Sequence, residues 1–382
     1  MRNVFAALRR IVVAVALLAL GANVARAQGN LSTQGLGYPP GQMSTASTSM
    51  GGSIAEVDPL SALNPAAIGF FPNALIVLQA EPEFRALRIG SQTLRTSVAR
   101  FPLFLGSMPL GSRWAVSVSA STLLDRTWET TVRDSQFVSN DTIAGSIGRK
   151  SDGSIADMRL ALSFAPATWL RIGVGGHAYS GRDFLRVVRV FDDSARFLSD
   201  TQSTTLGYGG NALSVGFQGL WPRVGSVGVS YRRGGTLRNY VGDSLVKSGT
   251  VPDHFGASFA YLGVNGATFA VRAARDKWAN LEKLASNMTV HEGWDIGVGA
   301  DVTGPKYGAG ALALRAGVRW RTLPFSATTS PVKEQTWSGG FGIPMAGGRV
   351  DLNLGALRAQ RTSPGIASES AWTISTGFAV RP

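Results

Sequence analysis

The sequence predicts an all-β protein: a 14-stranded antiparallel transmembrane β-barrel over residues 73–382, with an N-terminal hatch, or plug, of short helices over 28–72. Three observations carry this. After residue 73, apolar residues alternate with small or polar ones at period two, which gives each strand one apolar face. The alternating stretches run to roughly 10–16 residues, where soluble strands average about 5–6 and a tilted membrane strand needs about 9–11. The connections alternate short with long, as expected for tight turns on one side of a membrane and open loops on the other.

Residues 1–27 read as a secretory signal peptide. Arg2, Arg9 and Arg10 precede an apolar core from Ile11 to Gly21, and Ala25-Arg26-Ala27 is a small-x-small cleavage site. The core is too short to span a bilayer as a helix. Gln28 is the expected mature N-terminus, in a protein exported to the outer membrane. No Cys occurs anywhere, so lipidation at Cys, disulfides and thiolate metal sites are excluded. The chain carries 37 Lys+Arg against 24 Asp+Glu, and loss of the four leader arginines leaves 33 against 24. A basic envelope protein points to anionic lipid or glycolipid neighbours rather than nucleic acid, and plain solubility charge accounts for it equally well. Gly supplies 47 of 382 residues, well above the usual ~7%. No segment after the leader reaches 18 consecutive apolar residues, so no transmembrane helix is expected.

Fourteen strands are read at 73–88, 93–106, 112–132, 155–165, 168–191, 205–221, 225–244, 252–262, 267–278, 291–302, 309–323, 333–345, 349–361 and 369–381. In the third, Trp114, Val116 and Val118 share a face opposite Ala115, Ser117 and Ser119. In the eleventh, Leu312, Leu314, Ala316, Val318 and Trp320 oppose Ala313, Arg315, Gly317, Arg319 and Arg321. The second face holds Gly, Ser and Arg, which suits a polar lumen better than the interior of a sandwich. Short connections near 107–111, 166–167, 222–224, 263–266, 303–308 and 346–348 alternate with longer ones near 133–154, 192–204, 245–251, 277–290, 324–332 and 362–368. The first connection, near 90–92, is also short. An even strand count puts both ends of the wall in the periplasm and Arg149, Lys150, Lys277, Lys283 and Lys333 outside, facing glycolipid phosphates. Trp114, Trp169 and Trp221 flank short turns and read as an interfacial aromatic girdle.

Candidate chemistry is sparse. None of His177, His254 and His291 has a second ligand at metal spacing, so no metal or cofactor is expected. Hydrolysis on a barrel would need a Ser activated by a His; His177 with Ser180 is the single pair with any such character, and chance proximity accounts for it better. No enzymatic activity is expected. Arg159, Arg171, Arg272, Arg315, Arg319 and Arg321 share the small-residue face with Asp351. They would hold the carboxylate head group of a passing ligand, or pair with acids of the N-terminal segment such as Glu56 and Asp58.

The stretch QGLGYPPGQMSTASTSMGGSIAEVDPLSALNPAAIGFF resembles the N-terminal hatch of FadL-type outer-membrane transporters of long-chain fatty acids. Asn64, Pro65 and Ala66 match the Asn-Pro-Ala turn that precedes the first strand in that family. The C-terminal stretches LRAGVRWRTLPF, VKEQTWSGGFGIPM, GRVDLNLGALRAQR and ESAWTISTGFAVRP are similar to it as well. The resemblance implies a barrel filled by its hatch and passive uptake of hydrophobic small molecules; a related branch serves secretion and surface attachment, so a structural or secretion-linked barrel that binds protein partners stays open. Asp58-Pro59 is expected to start a short helix that Asn64-Pro65 ends. One departure concerns the barrel assembly machinery, a partner during insertion, which reads a terminal aromatic in many barrels; here four residues follow Phe378.

Overall fold

The computed structural model describes residues 31–33, 35–70, 73–90, 92–138, 141–193, 195–285, 288–307 and 310–382. The expected leader and Gln28 lie outside the described residues. Fourteen strands form the wall: β1 (Leu75–Ile89), β2 (Gln92–Leu110), β3 (Trp114–Asp125), β4 (Asp141–Ala167), β5 (Leu170–Phe191), β6 (Asp200–Trp221), β7 (Gly225–Val241), β8 (His254–Val264), β9 (Ala267–Asp276), β10 (Gly293–Tyr307), β11 (Gly310–Thr322), β12 (Lys333–Met345), β13 (Val350–Ser363) and β14 (Ala367–Val380). Each pairs antiparallel with its neighbour in chain order. β14 then pairs with β1, from Ile76↔Val380 to Arg88↔Ser368, and closes the sheet. Closure leaves no unpaired strand edge in the wall.

Period two decides which face each residue takes. In β1, Val77, Gln79, Glu81, Glu83, Arg85 and Leu87 are buried inside, while Ile76, Leu78 and Phe84 are exposed outside. The outer face elsewhere carries Leu160, Val174, Phe217, Phe259, Val271, Val298 and Leu314, all exposed. An apolar surface of this extent is stable only against hydrocarbon. Trp114, Trp169 and Trp221 bound it at the short-turn end, and the rings of Trp169 and Trp221 stack at 5.6 Å. Trp294, Trp320, Trp337 and Trp372 are exposed nearer the long-loop end. Two aromatic belts with an apolar band between them are the surface of a bilayer-spanning barrel.

Two of the expected loops are paired strands instead. Over 133–154 the chain forms a hairpin: Trp128–Val138 pairs with the first part of β4, from Val138↔Asp141 to Trp128↔Ser151. Ser244–Thr250 pairs back on the end of β7 in the same way. These arms leave the apolar band and meet water on much of their surface, so apolar alternation fades while the backbone still needs partners. Arg149 and Lys150 therefore sit on a strand rather than in an open loop.

Residues 31–33 and 35–69 lie against the inward face and are largely buried. A five-residue helix, α1 (Thr45–Ser49), starts at Ser44, whose hydroxyl accepts from the Ser47 N–H at 3.1 Å. All five helix residues are small and buried. Glycines of the wall make room for the chain beyond it. A Cβ at Gly317 would stand 2.2 Å from the Met50 carbonyl carbon, and one at Gly297 2.3 Å from the Gly51 oxygen. The helix expected from Asp58 is absent. Asp58 accepts from the Leu60 N–H at 3.0 Å, an Asx turn, and from the hydroxyls of Ser44 (2.5 Å) and Ser61 (2.6 Å). Local side-chain bonds of this kind compete with the helix. The segment ends in a single 3₁₀ turn, Ala67–Phe70, before β1.

Candidate functional site

The lumen is built in layers. At the short-turn end, Asn64, Pro65 and Ala66 lie against β4, β5 and β6. The Asn64 amide donates to the Glu56 carbonyl (2.7 Å) and the Phe217 carbonyl (3.1 Å), and its Oδ1 accepts from the Ala66 N–H (2.9 Å). Ser163 Oγ donates to the Ala66 carbonyl at 3.2 Å. Gly173 and Gly216 give the turn its space: a Cβ on either would overlap Pro65 or Asn64. Pro65 fixes its own φ and Asn64 closes the turn, so the motif has one shape at this place.

Above it, ionic pairs tie the segment to the wall. Glu56, fully buried, accepts from Arg272 Nε at 2.8 Å and from Ser258 Oγ at 2.6 Å, and lies 3.8 Å from His254. Burial alone would raise the Glu56 pKa; the Arg272 guanidinium beside it brings it down to about 2. Burial likewise pushes the Asp58 carboxyl up, against the hydroxyls of Ser44 and Ser61. Arg272 also reaches Asp295 at 2.6 Å, which Arg319 holds at 2.7 and 2.6 Å. Arg315 bonds Asp301 (2.7 Å) and Asn353 (2.7 Å). Arg321 bonds Glu334, the Pro39 carbonyl and the Tyr38 hydroxyl. Arg171 donates to the carbonyls of Gly69, Ala167 and Leu170. Asp351 pairs with Arg381 rather than with this set.

A second belt was not singled out in the sequence. Glu83, Arg85, Arg100, Asp125, Glu334, Arg361 and Glu369 are all buried and form one ion-pair network. Tyr38 stands in its centre, with the guanidinium carbons of Arg361, Arg321, Arg100 and Arg85 at 4.6, 4.7, 4.9 and 5.8 Å from its ring centroid. The backbone of Tyr38 pairs with Asp125 in both directions at 2.8 Å. The signal was present in QAEPEFR, where Glu81, Glu83 and Arg85 recur at period two on the lumen face.

The histidines find other partners than sequence spacing offered. His177 faces inward and Ser180, three residues on, faces the opposite side, as period two requires. His177 Nε2 instead lies 2.9 Å from Ser214 Oγ, and its Nδ1 lies 2.8 Å from Asp157. Asp157 also accepts from Gln42 (2.6 Å) and Tyr179 (3.2 Å), so the N-terminal segment joins this cluster too. His254 Nδ1 lies 2.8 Å from Asp276. Among the described residues no three His, Cys, Asp or Glu side chains gather as a metal site.

At the long-loop end the lumen turns apolar. Leu123, Leu124, Ile155, Leu237, Val251, Trp278, Leu281 and Phe325 form one buried cluster, with Trp278 and Phe325 edge-on at 6.0 Å. The 3₁₀ turn Trp278–Leu281 folds inward from the expected 277–290 loop. Beneath it, a cavity of about 70 Å³ is bounded by Gln42, Met43, Arg232, Arg272 and Trp278. That is room for a few waters.

No family model matches the sequence, and no curated protein does. Solved structures do match in fold. A Pseudomonas aeruginosa FadL homologue superposes with TM-score 0.59 at 13% identity, over 90% of this chain and 99% of that one. The Ralstonia pickettii toluene transporter TbuX gives 0.58 at 13%, over 92% and 99%. The P. putida toluene transporter TodX gives 0.56 at 13%, over 92% and 99%. With its closed fourteen-strand wall and this full-length correspondence, the chain has the fold of the FadL-type transporters.

Proposed function

We propose that the protein is an outer-membrane channel for passive uptake of hydrophobic small molecules, long-chain fatty acids among them, and that residues 28–72 are the hatch that gates it. The observation that carries this is how the lumen is filled. A segment of small residues occupies it and leaves about 70 Å³ beneath the loop-end cluster, too little for any such ligand. The segment is held by hydrogen bonds and ion pairs, Glu56–Arg272 and Tyr38–Arg321 among them, as well as by apolar contacts of Leu31, Leu36, Met50, Ala62 and Ile68. Polar contacts of this kind can be exchanged for water when the segment shifts, whereas a close-packed apolar core cannot. The apolar cluster around Trp278 and Phe325 is where an incoming ligand would leave water. FadL and toluene transporters of the same fold support the ligand class. The bilayer crossing and the outer-membrane location rest on the apolar band and its two aromatic belts.

Uptake by liposomes is the test. Proteoliposomes should accumulate a labelled fatty acid or toluene faster than protein-free vesicles, and Glu56→Ala should raise the rate. No uptake of either compound, with a secreted protein co-purifying instead, would favour the secretion-linked barrel.

A further inference from the structure

We infer that the outer face of β5–β7 carries a site for a phosphorylated glycolipid of the outer leaflet, its phosphates held by Arg182, Arg233 and Arg238 and its acyl chains laid in the wall groove below them. The site needs the barrel in its bilayer and nothing of the lumen, so it stands or falls apart from the channel reading.

All three arginines face outward. On β5, His177, Tyr179 and Asp183 are buried inside, so Ala178 and Arg182 take the opposite face, and both are exposed. On β7, Arg232 and Leu237 are buried while Arg233 and Arg238 are exposed. Strict alternation would put Arg233 and Arg238 on opposite faces; the register shift between Gly210 and Ala212 brings them to one. On β6, the outward positions between Arg182 and Arg238 are Gly207, which pairs with Arg182, and Gly209, which pairs with Arg238. No side chain stands between the two stems, and a Cβ on Gly209 would meet only open space. At about 4.8 Å between strands, their Cα atoms are about 10–12 Å apart. Nearby arginines are paired, Arg189 with Asp200 and Arg133 with Asp192. Among the described residues Arg182, Arg233 and Arg238 enter no ion pair, and Asp152, exposed on β4 opposite Phe184, forms none with them.

Height and shape select the occupant. Gly225 of β7 pairs with Trp221 of the short-turn belt. At about 3.3 Å per residue and a tilt of about 40°, Arg233 stands about 20 Å above that belt, and Arg182 and Arg238 about 30 Å. The apolar band of such a barrel is about 25 Å tall, so the three bracket its outer edge. The exposed tryptophans of that edge lie on β10, β11, β12 and β14; over β5–β7 the arginines take their place. Arg233 also lines a groove of about 930 Å³ that runs down the outer face. Its sides are Phe104, Leu160 and Leu213, all exposed, and its floor includes Gly176 and Ala178. Cations at the bilayer edge above an apolar groove match phosphates with acyl chains beneath them, and arginine binds phosphate bidentately. An unphosphorylated lipid would leave all three guanidinium groups unpaired. A glycerol lipid with one phosphate would reach only part of the row.

Titration of delipidated full-length protein in neutral detergent, read by native mass spectrometry, tests this. Wild type should bind bis-phosphorylated lipid A at least about tenfold tighter than dephosphorylated lipid A or phosphatidylglycerol, the order expected for one charge-assisted contact. The double variant Arg182→Gln, Arg238→Gln should lose that preference by weakening the phosphorylated form alone. Ala178→Trp, which fills the groove and leaves the charges, should weaken both forms of lipid A. Arg149→Gln with Lys150→Gln, on the hairpin arm, should change neither. Millimolar inorganic phosphate should not displace the lipid. Retained heat-modifiable migration would certify each variant as folded. Equal binding of phosphorylated and dephosphorylated lipid A, equal binding of phosphatidylglycerol, or a preference that survives the double variant would each overturn the inference. So would unchanged binding by Ala178→Trp, an equal loss on removing Arg149 and Lys150, or displacement by inorganic phosphate, which would mark a site for free anions.

Discussion

Removing the Glu56 carboxylate should unlock the N-terminal segment without unfolding the wall. Glu56 is fully buried and joins the segment to β8 and β9 through Ser258 and Arg272. Removing one partner of a buried ion pair costs about 3–5 kcal/mol. Arg272 keeps Asp295 at 2.6 Å, so its charge is not left bare and the cost belongs at the lower end, about 3 kcal/mol. At 1.4 kcal/mol per power of ten, this shifts the balance between seated and displaced segment roughly a hundredfold. The wall is closed by pairing among its own strands, so the loss falls on seating rather than on closure of the barrel. In planar bilayers, the fraction of time that Glu56→Ala conducts should therefore rise on the order of a hundredfold over wild type. Glu56→Gln, which can still bond Ser258, should fall between. Acid makes the same test on the unaltered protein. The Glu56 pKa lies near 2 in the folded chain against 4.5 free, so the pairing is complete above about 4.5 and is lost as pH falls toward 2. Equal conductance of wild type and Glu56→Ala, both folded by heat-modifiable migration, would refute the role of this pair.

Further outcomes follow from the same geometry. Deleting residues 30–66 should give a steady pore larger than any flicker of the intact chain, since a wall of fourteen strands has interior room beyond its own side chains; a deleted barrel that folds and conducts no more than the parent would end the hatch proposal. Gly317→Val would drive a side chain into the Met50–Gly51 backbone, 2.2 Å from an ideal Cβ, and should raise conductance while the barrel still folds. Leu314→Arg, on the outer face, should cost about 2–4 kcal/mol in denaturant titrations, and Ala313→Arg, on the lumen face, distinctly less; equal costs would mean the faces are misassigned. Protease on intact cells should cut near Lys283, which follows the 3₁₀ turn in the long connection, and spare Arg149, which pairs with Thr130 and Val187.

The sequence by itself determined the wall. Period two is a local property: Trp114, Val116 and Val118 face out because alternate residues must, whatever lies across the sheet. Long strands, alternating connections and an even count then leave few architectures beyond the fourteen-strand barrel. The local shape of Asn64-Pro65-Ala66 was legible too, since Pro65 fixes its φ and Asn64 closes an Asx turn onto the Ala66 N–H. What sequence could not supply is who meets whom across the lumen. Arg159 and Arg272 look alike on the small-residue face, yet Arg272 finds Glu56, 216 positions away, and Arg159 finds no acceptor. The same holds for His177: Ser180 is near in sequence but on the other face, while Ser214 arrives from the neighbouring strand. Asp58 shows the limit inside the segment, because its cap-like sequence became an Asx turn once Ser44 and Ser61 were brought to it. Period two places a side chain on one face of a strand. Closure of the wall and the path of the N-terminal segment through it decide which charges share a burial site, and so which of them hold the segment.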